Sequence, residues 1–431
     1  MKKILTTTVA IAISGSSFAF FGSADKDKFL TTYADIALVS YQDTLSDAKN
    51  MLQSMNSFKQ NPTQINFDNA KTAWLNSRES YGKTEIFRLS NGPIDAEEGW
   101  VAVAYGAPEG QLNAWPLDEN MVDYTIDASG KKTSGNIIDT NGIFTPVGKE
   151  STAVNIVKIT PNALAALNEN GGDANVATGY HAIEFLLWGQ DQDYSNFMKD
   201  GITNGAMTAG KRALSDFTSD KYAERRFDYL VASSELIISD LSAMIDAWKK
   251  GDKDNYRAAL LGENQDKNKN ISTNTALKQI FSGMGVFIKS ELANERIAVA
   301  VLTPSEEDEH SCFSDNTHRD ITLNYQGFKN VLFGTYNSVD YGFGAMDKLE
   351  DNTKLLSLIK DADSLVKQMN IIATSSRHFD YQIRPNDTQS GQIVKLKNRL
   401  RKIGDQVISV ARSFGLNLNS DDVTDSGETQ L

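Results

Sequence analysis

The chain has 431 residues, 40% of them apolar and 23% charged, with a formal net charge of −13 and one cysteine, Cys312. The acidic balance argues against nucleic acid and anionic membranes as partners and leaves cations as the natural guests. A lone cysteine excludes an internal disulfide framework, and the length suits two or three domains.

Met1-Lys2-Lys3 followed by the apolar stretch Ile4 to Phe21 reads as a secretory signal, with cleavage after Ala19 or Ala24. The stretch is too short to remain as an anchor, no cysteine stands beside it to carry a lipid, and no other segment approaches a membrane span. The expected product is exported, periplasmic and soluble, reaching the outer membrane only through partners.

From Asp25 the pattern turns helical. Phe29, Tyr33, Ile36, Val39 and Leu52 mark a helix over 26–57 that stops at Asn61-Pro62. A second helix is expected over 64–90, ending in Glu85-Ile-Phe-Arg88 before the break at Gly92-Pro93-Ile94-Asp95. Residues 91–160 are irregular, punctuated by Gly and Pro, and hold Asn113-Ala-Trp-Pro-Leu-Asp118. So long a loop either carries function or caps a bundle end with Trp115 and Leu117.

After a short helix at 161–169 comes Gly179-Tyr-His-Ala-Ile-Glu-Phe-Leu-Leu-Trp188. It is greasy on every face except for His181 and Glu184, which project side by side at a spacing of three. Buried polar groups without partners cost roughly 2–7 kcal/mol. The pair must therefore meet each other, further side chains or a metal ion; carboxylate–x–x–His pairs supply metal ligands in helical bundles.

A long helix follows over 219–250, and the polar run Gly262–Asn270 reads as a linker or mobile loop and domain boundary. Further helices are expected over 272–302, 324–337, 353–373 and 390–413. Between the first two lies Glu306-Glu-Asp-Glu-His-Ser-Cys-Phe-Ser-Asp-Asn-Thr-His318. Its acids 306–309 read as a solvated face. The rest reads either as a capping loop or as a source of Ser311, Asp315 or His318 reaching toward His181 and Glu184. His378 reads as a surface or packing residue.

The fold class is all-α, with two packed helical, four-helix-bundle-like domains. The divisions are a signal over 1–24, an N-terminal bundle over 25–262 that contains the His181 helix and the 91–160 insertion, a C-terminal bundle over 263–419 and a disordered tail over 420–431. No His-Glu-x-x-His, Gly-x-Ser-x-Gly, phosphate-loop or dinucleotide signature is present.

Gly179-Tyr-His-Ala-Ile-Glu184 resembles the Gly-x-His-x-x-Glu signature of the imelysin-like family, whose relatives include an insulin-cleaving membrane protease. Arg88 with Gly92-Pro93-Ile94-Asp95, Asn113 to Asp118 and Trp188-Gly189 extend the match. Glu309 to His318 is similar to the iron-regulated protein A branch. The resemblance implies a cleft between the two bundles lined by the His-x-x-Glu helix, and a link to iron uptake in the cell envelope. On that reading His181 and Glu184 are metal ligands. Gly179, Glu85, Arg88, Asp95, Trp115, Asp118, Ser311, Asp315 and His318 line or support the cleft. The expected cargo is a divalent or ferric ion, iron favoured and zinc the alternative, or an iron-bearing small ligand, with envelope iron-uptake proteins as further partners. One rival is a metallopeptidase with Glu184 as general base. The other is a peptide or small-molecule binding module without tightly held metal.

Overall fold

The computed structural model describes residues 16–127, 129–191, 209–302 and 308–428. The secretory-signal segment and the acids at 306 and 307 therefore fall wholly or largely outside the described residues.

The fold is all-α. Helix α1 spans Ser16–Gln60 and α2 spans Gln64–Tyr81, the latter opened by Thr63, whose side chain accepts a bond from the Asn66 N–H. Thr160 caps α3 (Pro161–Leu167) in the same way, with proline at its first position. Then come α4 (Gly179–Trp188) and α5 (Ala223–Trp248). Ser272 caps α6 (Thr273–Val286), which runs on without a break into a π-helical segment, Phe287–Ala298, and a final α-turn, Val299–Leu302. Helices α7 (Thr317–Phe333), α8 (Thr353–Ser375) and α9 (Ser390–Ser413) complete the set.

Packing sorts these helices into two sets. In the first, α1 lies against α2 and α5, and α4 packs between α2 and α5; in the second, α9 lies against the π segment, α8 and α6. The sets meet where α1 and α2 touch α6 and α7, and one apolar core runs through both. On α9 the residues Ile393, Leu396, Leu400, Ile403, Val407 and Val410 are all buried, as their spacing of three and four requires.

Several expectations change. The second helix ends at Tyr81 rather than 90, and Glu85–Phe87 form a separate 3₁₀ turn. Helix α7 crosses closely there: a Cβ on Gly82 would lie 2.8 Å from the Leu323 Cβ. Helix α7 itself begins at Thr317, seven residues earlier than expected, so His318 sits in its first turn. The tail is ordered through 428, because Val423 is buried and the Glu428 carboxylate accepts bonds from Arg401 and Ser290. The polar run 262–270 is fixed rather than mobile: Asn264 is fully buried and donates to the Asn255 carbonyl, while its backbone N–H donates to Asn270. A two-residue ladder pairs Ile143–Phe144 with Val154–Asn155 inside the insertion. A second, Thr335–Tyr336 with Val339–Asp340, turns through Asn337 and Ser338 at φ 48° and 66°.

The insertion is tied to α5 by a buried charge cluster. Asp123 accepts bonds from Arg212 at 2.9 Å and from Arg226 at 2.8 and 3.1 Å. Removing one partner of a buried ion pair costs about 3–5 kcal/mol, because the remaining charge is stranded. Asp123→Ala is expected to lose that much stability by urea denaturation; a loss below about 1 kcal/mol would show the cluster to be dispensable.

Candidate functional site

Helix α4 is buried along its whole length and clamped at both ends. Its first residue, Gly179, has φ +80°, and a Cβ there would stand 2.3 Å from the Leu112 carbonyl oxygen. Glycine is thus required by the backbone of the insertion. Thr178 donates its hydroxyl to the Gln111 carbonyl at 2.9 Å, and Trp74 donates its indole N–H to the Tyr180 carbonyl at 2.9 Å. At the far end the Arg212 guanidinium donates to the Phe185 carbonyl at 3.2 Å, and its backbone N–H to the Trp188 carbonyl at 2.7 Å. A helix held this firmly presents its two polar side chains in one geometry.

His181 and Glu184 are fully buried, with His181 Nδ1 2.9 Å from Glu184 Oε2. The other carboxylate oxygen, Oε1, accepts from the Ser314 backbone N–H at 3.0 Å and hydroxyl at 2.7 Å. Glu184 is therefore engaged on both oxygens. His181 Nε2 is buried and has no hydrogen-bond partner. Burial pushes Glu184 up to about 8 and His181 well below the usual histidine value, so the low-dielectric setting favours the neutral form of each.

A second imidazole–carboxylate pair abuts the first. The His310 ring centre lies 4.6 Å from that of His181, with the planes at 86°. His310 Nδ1 is 2.9 Å from Asp320 Oδ2, which also accepts from the Ser311 hydroxyl, while Asp320 Oδ1 accepts from Arg78 at 2.8 Å. Burial alone would raise the Asp320 carboxyl; Arg78, His310 and Ser311 together overcome it and hold the group well below the carboxylate range. Trp115 covers the assembly, its ring centre 4.9 Å from His181 and 5.5 Å from Phe313.

From this core a chain of charges runs outward. Arg78 donates to Asn113, Asn113 to Glu85 at 3.4 Å, and Arg296 to Glu85 at 2.6 Å and to Glu291 at 2.9 Å. Arg88 donates to Glu291 at 2.9 Å and stands 3.2 Å from Glu109. The π segment explains one of these bonds. Its wider turn sets Glu291 and Arg296, five residues apart, on one face, and the Val299 N–H bonds back five residues to the Asn294 carbonyl. The chain ends at a cavity of about 590 Å³ lined by His310, Trp115, Arg88, Arg296 and six carboxylates: Glu109, Glu169, Asp173, Glu291, Glu295 and Asp308. Acids outnumber bases there by six to two, and both arginines already face carboxylates.

The family model described as imelysin, peptidase M75, matches residues 37–407. The chain belongs to the imelysin family. It is 23% identical over 335 residues to iron-regulated protein A of Synechococcus elongatus, covering 76% of this chain and 71% of that protein. Its fold is similar to a crystal structure of a candidate iron-regulated protein A precursor from Parabacteroides distasonis. That likeness has a TM-score of 0.60 at 18% identity, covering 91% and 95% of the two chains. An imelysin-like protein from Psychrobacter arcticum gives a TM-score of 0.54 at 13% identity, covering 96% and 100%. At these identities the structural likenesses concern the fold.

Of the residues singled out in this imelysin chain, His181, Glu184, Trp115 and Ser311 gather around the imidazoles, and Arg88 lines the cavity. Glu85 lies buried in the charge chain rather than on the cavity wall. Four positions do other work. Asp95 accepts from the Leu89 N–H and pins the turn after Arg88, and Asp118 caps the turn at 119–122. Asp315 accepts from His378 through its carboxylate, and its carbonyl lies 3.1 Å from His318 Nδ1. Those two, expected to reach His181, instead fasten the start of α7. The acids at 308 and 309 are no solvated face, since Asp308 lines the cavity and Glu309 is 1% exposed. The sequence pattern does not single out Ser314, Asp320, Arg78 or Arg296 for the site, while His310, an imidazole in the quoted motif, carries a signal.

Among the described residues no group of three His, Cys, Asp or Glu side chains is placed to hold a metal ion by itself. A smaller set could hold one: an imidazole nitrogen, buried and unpartnered, behind a second imidazole on the wall of an acidic cavity.

Gly179→Ala combines a left-handed backbone with a direct clash, and is expected to cost about 1–3 kcal/mol or more. A urea midpoint equal to that of the wild type would contradict the close approach. A second check concerns Asp240 on α5, which accepts from the Gln111 amide at 2.8 Å and so steadies the strand of chain under Gly179. Burial raises the Asp240 carboxyl to about 6 despite that bond. A raised folded value means stability that is present below the unfolded value of 3.8 and is lost as pH rises through about 6. Asp240→Asn should therefore melt higher than the wild type at pH 7, with the gain shrinking toward pH 4. An advantage that stays constant across that range would refute the assignment.

Proposed function

We propose that this imelysin-family chain is an exported, periplasmic metal-handling protein that takes up an ion, iron favoured and zinc the alternative, or an iron-bearing small ligand, beside His181. The observation that carries the reading is His181 Nε2, buried and without a partner, on a ring whose Nδ1 is already fixed by Glu184. An unmet polar atom in a packed core costs about 1–3 kcal/mol, which a bound cation would relieve. A metal-ligating histidine is typically fixed in this way, with a carboxylate behind the ring. The acidic lining of the adjoining cavity supports a cationic cargo. Iron is favoured because the Synechococcus relative is named for iron regulation.

On this reading His181 is the direct donor and Glu184 the group that orients it. The cavity is lined by residues from 88–176 and from 291–310, which supports reading it as a cleft between the two proposed bundles. Glu184 is engaged on both oxygens and does not line the cavity, so the geometry gives a general base no access to a substrate. Among the described residues no helix is long and apolar enough to cross a membrane.

Calorimetric titration with Fe(II), Zn(II) and Mn(II) tests the proposal. Wild type is expected to bind at least one of them, and His181→Ala to lose 100-fold or more in affinity. Glu184→Gln is expected to lose about 10–100-fold. Equal binding by wild type and His181→Ala would sink the reading. Chelator-sensitive digestion of insulin chain that disappears in Glu184→Gln would favour a peptidase instead.

A further inference from the structure

We propose that His181 and His310 together form a two-imidazole seat for one transition-metal ion, whose remaining coordination positions are filled by water or small non-protein ligands lodged in the 590 Å³ cavity. The inference rests on the metal-handling reading above and adds the second protein donor, a residue outside the Gly-x-His-x-x-Glu stretch.

Four observations converge. Each ring has its Nδ1 2.9 Å from a buried acidic side chain, Glu184 for His181 and Asp320 for His310, which leaves Nε2 as the ring nitrogen free to meet an ion in both. The Nε2 of His181 is buried and unpartnered. The ring centres are 4.6 Å apart. Two imidazoles sharing an ion at about 2.1 Å per metal–nitrogen bond have centres roughly 4.5–5.5 Å apart, so the observed spacing suits a shared ion. Finally, His310 lines the cavity while His181 lies behind it, so an ion between them is open on the cavity side alone.

Because the described side chains offer no third protein ligand, the cavity's volume has a purpose. A bare ion needs little more room than one water molecule, whereas about 590 Å³ accommodates an ion together with attached ligands. Neutral imidazoles suit Fe, Zn, Cu and Ni alike, so the pair sets the donor count rather than the metal.

The test uses Cu(II) alone as probe, since it binds nitrogen donors most tightly among the first-row divalent ions. Pulsed electron paramagnetic resonance then counts the imidazoles coupled to the bound ion. Wild type should show two, His181→Ala and His310→Ala one each, and His318→Ala and His378→Ala two. Asp320→Asn should keep both couplings while weakening binding about 10–100-fold. Far-UV circular dichroism monitors folding, and His310→Gln replaces the alanine variant if that fails to fold. A single coupled imidazole in wild type, lost in His181→Ala and kept in both His310 variants, would overturn the pair and leave the single-donor reading standing. No coupled imidazole in folded wild type would overturn both, as would couplings that vanish in His318→Ala or His378→Ala.

Discussion

The structure depends on how a buried imidazole and carboxylate are accommodated on a helix that is apolar on every other face. Helix α4 contributes His181 and Glu184, but the groups that meet them come from far along the chain: Ser314 bonds to Glu184, and His310 and Phe313 pack around the rings with Trp115. Neither half can satisfy its own polar groups alone. The two helical sets are therefore joined by polar complementarity at the site as well as by a shared apolar core.

The arginines extend the same principle. Arg78 and Arg296 are nearly inaccessible, and each spans elements distant in sequence, Arg78 reaching Asn113 and Asp320, Arg296 reaching Glu85 and Glu291. Burying such charges is costly unless every one is paired, and the π-helical stretch helps by placing Glu291 and Arg296 where both can serve the Glu85 turn. Burial opposes ionisation of Glu291, yet Arg88 and Arg296 pull its carboxyl down to about 2. The network is thus a rigid floor under the cavity, with its positive charge largely neutralised.

Helices with uninterrupted apolar periodicity were legible in the sequence: α9 begins and ends at the expected residues, and the burial of α4 followed from its lack of a polar face. What periodicity could not supply was the effect of neighbours. At the end of α2, Gly82 is pressed against Leu323, a contact between residues 241 positions apart in the chain. The Ser, Asp and Asn residues of 311–316 read as a turn or cap, and they do precede a helix; it starts at Thr317 with Asn316 at its N-terminal boundary but without a side-chain capping bond, which puts His318 in a helical turn and leaves His310 to face the site. Composition likewise made Asp308 and Glu309 look like a solvated run; only the fold shows that the chain there dives into the cavity wall. Family resemblance located the His-x-x-Glu helix, whereas the partners of that helix depended on three-dimensional packing.

The donor set bears on the kind of metal handling that such a site would suit. If an ion rests on two neutral imidazoles, the protein supplies directional donors but no negative charge in direct contact with it; the acidic side chains of Glu184 and Asp320 stand behind the rings. The acids of the cavity wall attract cations over a longer range without saturating their coordination. That combination gives capture with moderate retention, because positions left to water or small ligands are also the positions through which the ion can be exchanged. A storage or structural site would be expected to close the coordination sphere with protein ligands. On the proposed two-imidazole seat, the open, acidic side would instead suit a protein that receives an ion and passes it on.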